Sequence, residues 1–141
     1  MYISIMIDCM ILGDSIAVGT HQVRKECVAY ARGGINSWQW RKDYLERDQG
    51  NNLVAETIII SLGSNDHKGV KTLEEISRIR LAIKAKRVFW ILPAIKPEIQ
   101  AMVREVAAGF GDTVIPITRL QPDGVHPSWA GYKEIAEKTK I

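Results

Sequence analysis

The strongest constraint on the fold is an alternation. Short apolar runs recur five times along the 141 residues, at 3–12, 28–31, 56–62, 87–92 and 113–117. A helical pattern follows each of them, at 15–27, 38–47, 72–86, from Pro97, and at 128–138. Apolar runs bounded by glycine, without a polar alternate, predict strands covered on both faces. Asp8 interrupts the first run, so its buried part is expected to begin at Cys9. Leu73, Ile76, Ile79 and Ile83 make one stripe, Ile99, Met102, Val103, Val106 and Ala107 another. Asn36 or Ser37 can cap the second helix, which the cluster from Gln49 to Asn52 ends. Thr72 with Glu75 has capping-box form, Pro97 can open a helix, and Gly109 and Gly111 can close it. Strands alternating with helices specify an α/β fold: a three-layer α/β/α arrangement around a five-stranded parallel sheet. Right-handed crossovers fit a flavodoxin-like order, 2-1-3-4-5, with Pro116 favouring an edge for the last strand. There is no repeat or linker, so residues 1–141 read as one domain.

Composition mainly excludes. The 19 basic and 16 acidic residues are scattered, without a run of five like charges, so no nucleic-acid partner is expected. No apolar run approaches the roughly 20 residues that span a bilayer, so no membrane partner is expected either. The N-terminus lacks the basic stretch and small-residue cleavage site of an export signal, which points to the cytoplasm. Cys9 and Cys27 have no metal-ligand spacing and are expected as reduced, buried thiols. Neither a Walker A nor a G-x-G-x-x-G motif is present, and no cofactor or metal is expected.

In an open α/β sheet ligands bind at the carboxyl ends of the strands. Ser15 follows the first strand, Gly33 and Gly34 the second, Asn65 the third, and Asp123 and His126 the fifth. The polar and glycine-rich oddities of the chain therefore converge on one rim. A serine hydroxyl needs a base, and histidine is suited to that work. Asp123, three residues before His126, can orient the imidazole, while Pro127 keeps His126 out of helical geometry. The Ser15 N–H, a glycine N–H and the Asn65 amide are candidate oxyanion donors. Taken singly, each piece has a plainer reading: an N-cap at Gly13-Asp14-Ser15, turns at Gly33-Gly34, Asn65-Asp66 and Asp123-Gly124. His21 and His67 lack partners at ligand spacing and read as surface or loop residues.

Together these residues resemble the SGNH/GDSL hydrolase family, from about Cys9 to Ile135. Gly13-Asp14-Ser15-Ile16 matches its nucleophile block, and 31–37 its glycine block, in a register that selects Gly34, with Gly33 as the alternative. Gly63-Ser64-Asn65-Asp66 is similar to the Gly-x-Asn-Asp block and Asp123-Gly124-Val125-His126 to the Asp-x-x-His block. Ser64 departs from the commoner Thr or Gly. The resemblance implies a metal-independent serine esterase working through an acyl-enzyme, with Ser15, Asp123 and His126 catalytic and Ser15, Gly34 and Asn65 as oxyanion donors. Short acyl or acetyl esters, carbohydrate O-acetyl groups among them, suit the open site implied by so short a chain. Asp14, Gly33, Asp66, Trp38 and Trp129 stand next to these blocks as candidate substrate contacts. Trp38, Trp40 and Trp129 either border the cleft or pack the helices against the sheet. The alternative from another class is a catalytically silent, flavodoxin-like module gripping a sugar or phosphate at the Gly13 turn.

Overall fold

The computed structural model describes residues 7–47 and 52–140. Five parallel strands form one sheet in the order β2-β1-β3-β4-β5. They are β1 (Ile7–Gly13), β2 (Val28–Ala31), β3 (Val54–Ser61), β4 (Lys84–Ile91) and β5 (Thr113–Ile115). The helices are α1 (Ser15–Val23), α2 (Ser37–Trp40), α3 (Thr72–Ala82), α4 (Pro97–Phe110) and α5 (Trp129–Thr139). Both faces of the sheet are covered. Met10 and Leu12 of β1 point into a core shared with α2, α3 and α4, while Cys9 and Ile11 point to one shared with α1 and α5. This is the expected three-layer architecture. Ile7 and Asp8 are exposed and burial begins at Cys9.

Several details differ from expectation, each for a local reason. The first helix ends at Val23, where Arg24 turns inward and donates to Thr139 Oγ1 at 2.7 Å. The second begins with a capping box between Asn36 and Gln39 and then loosens into a π-helical turn, Arg41–Glu46. That turn lets the buried Arg41 reach Glu75 and Glu46. Helix α3 stops at Ala82, four residues before the expected end, because Lys84 already pairs with β3. No capping box forms at Thr72, whose hydroxyl instead donates to Asp66 Oδ2 at 2.6 Å. Leu73, expected on the buried stripe, is exposed, and Glu75 is buried instead. Gly109 lies inside α4, and Gly111 ends it with φ 72°. Residues 3–6 of the first expected strand and 49–51 of the second helix's terminating cluster lie outside the described residues.

Cys9 and Cys27 are joined in a disulfide rather than left as thiols. Register explains the pairing. Met10 lies beside Val28 in the parallel β1–β2 ladder, so the two preceding residues are neighbours, with Cα atoms 4.8 Å apart. A Glu26 carboxylate oxygen lies within 4.8 Å of both sulfurs, which are already bonded to one another. Disulfides persist in oxidising compartments, so the bond does not favour the cytoplasmic location expected from the N-terminus. Among the described residues, no helix is long and apolar enough to cross a membrane.

Candidate active site

Strand β1, an interior strand of the sheet, delivers the serine through a turn that only glycine fits. Gly13 has φ 141°, and a Cβ there would lie 1.9 Å from the Ser61 carbonyl oxygen of the neighbouring strand. The next residue, Asp14, donates its N–H to that carbonyl at 3.0 Å. Its carboxylate caps α1: Oδ1 accepts from Ile16 N and from Ser61 Oγ, both at 3.0 Å. Burial pushes the Asp14 carboxyl up to about 6, against the lowering effect of the Ser61 and Ile16 bonds. Ser15 is then the first residue of α1. Its N–H has no acceptor within the helix and sits at the positive end of the helix dipole.

Ser15 Oγ lies 2.8 Å from His126 Nε2. His126 Nδ1 lies 2.7 Å from Asp123 Oδ2. Both partners come from a self-closed hairpin: Leu120 bridges Pro127, Gln121 N donates to His126 O at 2.8 Å, and Gly124 N donates to Gln121 O at 3.0 Å. Asp123 Oδ1 accepts the backbone N–H groups of Val125 and His126 at 2.9 and 3.0 Å. The His126 N–H above all, then that of Val125, then the imidazole, hold the Asp123 carboxyl down at about 2. It is ionised at neutral pH and can only accept. That assigns the ring hydrogen to Nδ1 and leaves the Nε2 lone pair facing the serine hydroxyl. The pair is open to solvent, with the His126 and Asp123 side chains 33% and 45% exposed.

Gly33 and Gly34 are the central residues of a turn in which Ile35 N approaches Arg32 O at 3.4 Å. Gly34 has φ 77°, as the third position of a type II turn requires. Gly33 is nearer the serine: a Cβ built on it would lie 3.9 Å from Ser15 Cβ, whereas one on Gly34 would meet open space. Asn65 sits in the next turn, 63–66, which Asp66 N closes onto Gly63 O at 3.0 Å. Its Nδ2 donates to Ile35 O at 3.0 Å, which ties the asparagine to the glycine turn and leaves the second amide hydrogen for another acceptor. Beside this loop a cavity of about 460 Å³ has Val70, Ile99 and Met102 among its walls.

The other expected contacts are placed differently. Asp14 and Asp66 are both buried, so neither faces a substrate. Asp66 accepts from Ser37 N at 2.9 Å and from Thr72 Oγ1, joining α2 to α3 under the Asn65 turn. Trp40 is fully buried and donates to Tyr30 O at 2.9 Å, as a packing residue does. Trp38 and Trp129 are exposed, with the Lys42 and Lys133 ammonium groups 5.9 and 5.3 Å from their rings. Trp129 lines a groove with Gln22 and Val23, between α5 and α1. Two residues escaped the sequence reading. Ser61 donates to the capping carboxylate, and Lys96 donates to the backbone on either side of Asn65. Neither carries a local signal, since both act across the rim.

The arrangement can pass a proton from a hydroxyl to an imidazole backed by a carboxylate, beside several free N–H donors. No protein-family profile and no curated protein matches the chain. Solved structures do share its fold. It is similar to a member of the lipolytic protein G-D-S-L family from Veillonella parvula, at 15% identity and TM-score 0.66, covering 93% of this chain and 94% of that one. It is similar also to the lipase/acylhydrolase from Enterococcus faecalis, at 16% identity and TM-score 0.64, covering 92% of each. A third is the catalytic domain of peptidoglycan O-acetyltransferase A from Streptococcus pneumoniae, at 17% identity and TM-score 0.58, covering 98% of each. At these identities the likeness is one of fold.

Proposed function

We propose that the chain is a serine-dependent ester hydrolase of the SGNH/GDSL type, acting on short acyl or acetyl esters, carbohydrate O-acetyl groups among them. The observation that carries this reading is the unbroken relay from Ser15 Oγ through His126 to Asp123, at 2.8 and 2.7 Å. In the first half-reaction His126 Nε2 takes the Ser15 proton as Oγ attacks the ester carbonyl carbon. The oxyanion accepts hydrogen bonds from the Ser15 N–H, the Gly34 N–H and the free Asn65 amide hydrogen. The imidazolium, steadied by Asp123, then protonates the leaving alkoxide as the carbon–oxygen bond breaks. In the second half-reaction His126 deprotonates a water that attacks the acyl-enzyme. The carboxylic acid leaves and Ser15 regains its proton.

The solvent exposure of His126 and Asp123 favours small or polymer-borne esters over a long chain that needs enclosure. The named activities of the structural neighbours, acylhydrolase and O-acetyltransferase, lie in the same acyl chemistry. A fluorophosphonate should label the protein once, and Ser15→Ala should abolish both labelling and p-nitrophenyl acetate turnover. Labelling that persists in Ser15→Ala would remove the serine from the mechanism. Release of acetate from acetylated glycans, set against a panel of short acyl esters, identifies the substrate.

A further inference from the structure

Among the described residues, Lys96 alone combines a side chain with a left-handed backbone, at φ 64° and ψ 82°. Residues other than glycine occupy that region against their own preference. The backbone there is fixed by α4, since the Lys96 carbonyl accepts from Ile99 N and Gln100 N at 2.9 and 3.0 Å. From this position the side chain reaches across the rim. Its Nζ donates to Ser64 O at 2.9 Å and to Asp66 O at 2.7 Å, the two carbonyls that flank Asn65.

We propose that Lys96 is a positioning residue: by clamping both carbonyls beside Asn65, it fixes the asparagine amide where the oxyanion develops. The proposal rests on the hydrolase reading above for its catalytic consequence. Three other contacts hold the same turn. Ile35 O takes one amide hydrogen, while Ser37 N and Thr72 Oγ1 hold the Asp66 carboxylate. These tie the turn to the glycine loop, α2 and α3. Lys96 supplies the tie to the segment between β4 and α4. Lysine suits the task because its compact ammonium carries three donors that can address two convergent carbonyls. Bonds from a charged donor are also the stronger kind.

Donors of this sort act on the transition state, so displacement by ~1 Å is felt in kcat more than in KM. Lys96→Met keeps the length of the side chain and removes its donors. With p-nitrophenyl acetate its kcat should fall about tenfold, with KM within about twofold. Asn65→Ala should lose roughly 10²–10³ in kcat. The double variant should be no slower than Asn65→Ala, because Lys96 acts through that amide. Losses that multiply in the double variant would overturn the proposal. Lys96→Gly removes the same side chain and relaxes the backbone, so it should stay folded and show the same kcat loss. If both single variants turn over within about twofold of the parent, the proposal fails.

A second readout does not depend on turnover. The Asn65 side-chain amide resonances, identified by their disappearance in Asn65→Ala, should shift or broaden in Lys96→Met. Unchanged resonances would overturn the clamp in a protein of any activity. Hydrolysis that survives Ser15→Ala would count against the hydrolase reading alone, with the resonances still deciding on Lys96.

Discussion

The Asp14 carboxyl group, next to Ser15, should make the protein less stable at neutral pH than in mild acid. Asp14 is fully buried, and its Oδ2 has no hydrogen-bond partner. Burial raises its pKa from 3.8 to about 6. Between those values the folded state binds a proton that the unfolded state has released, so stability falls as pH rises. Above about pH 6 the gap from 3.8 corresponds to ~3 kcal/mol against folding. Asp14→Asn keeps a competent N-cap and cannot ionise. Urea unfolding of both proteins should show the difference between them moving in favour of the variant by about 2–2.5 kcal/mol from pH 4 to pH 7.5. The test uses the change with pH, so any constant difference between carboxyl and amide cancels. A difference that stays constant within about 0.5 kcal/mol over that range would refute the burial argument. So would an Asp14 carboxyl carbon resonance that titrates below pH 4.5, more than about one pH unit under the expected midpoint.

Gly13→Ala should destabilise the fold by more than ~3 kcal/mol in the same assay, because its methyl would drive into the Ser61 carbonyl at 1.9 Å. Replacing Cys9 and Cys27 together by serine opens a loop with a sequence separation of 18. By loop entropy this should cost about 3 kcal/mol, read as a lowered Tm that a reductant reproduces in the parent. Asp123→Asn should lower kcat by about 10², less than the ~10⁴ of a buried counterpart, because water also stabilises an exposed imidazolium. An unchanged kcat would remove Asp123 from the relay.

The residues that were legible are those whose chemistry is local. Gly13, Gly33-Gly34, Asn65 and Asp123-Gly124 announce turns, and periodicity places those turns at the same ends of parallel strands. What was not legible depends on distances between elements. The disulfide follows from the register of β1 against β2, which neither cysteine's neighbours reveal. Asp14 and Asp66 look like loop acids in the sequence, but each caps or ties elements across the rim. Trp38 and Trp40 differ in exposure only through helical phase, which turns one outward and the other into the core. The reach of Lys96 depends on a backbone angle that the following proline restricts without specifying.

The hairpin carrying Asp123 and His126 makes the machinery modular. Its acid–base pair is assembled within eight residues, by bonds that never leave the segment between Leu120 and Pro127. The serine is delivered independently, by β1 in the interior of the sheet. Among the described residues, the polar link between the two halves is one contact of 2.8 Å, spanning 111 positions of sequence. Swinging the hairpin outward would therefore part Ser15 from the imidazole while imidazole and carboxylate stayed paired. Grafting it onto another parallel sheet would move a base and its orienting carboxylate as one cassette.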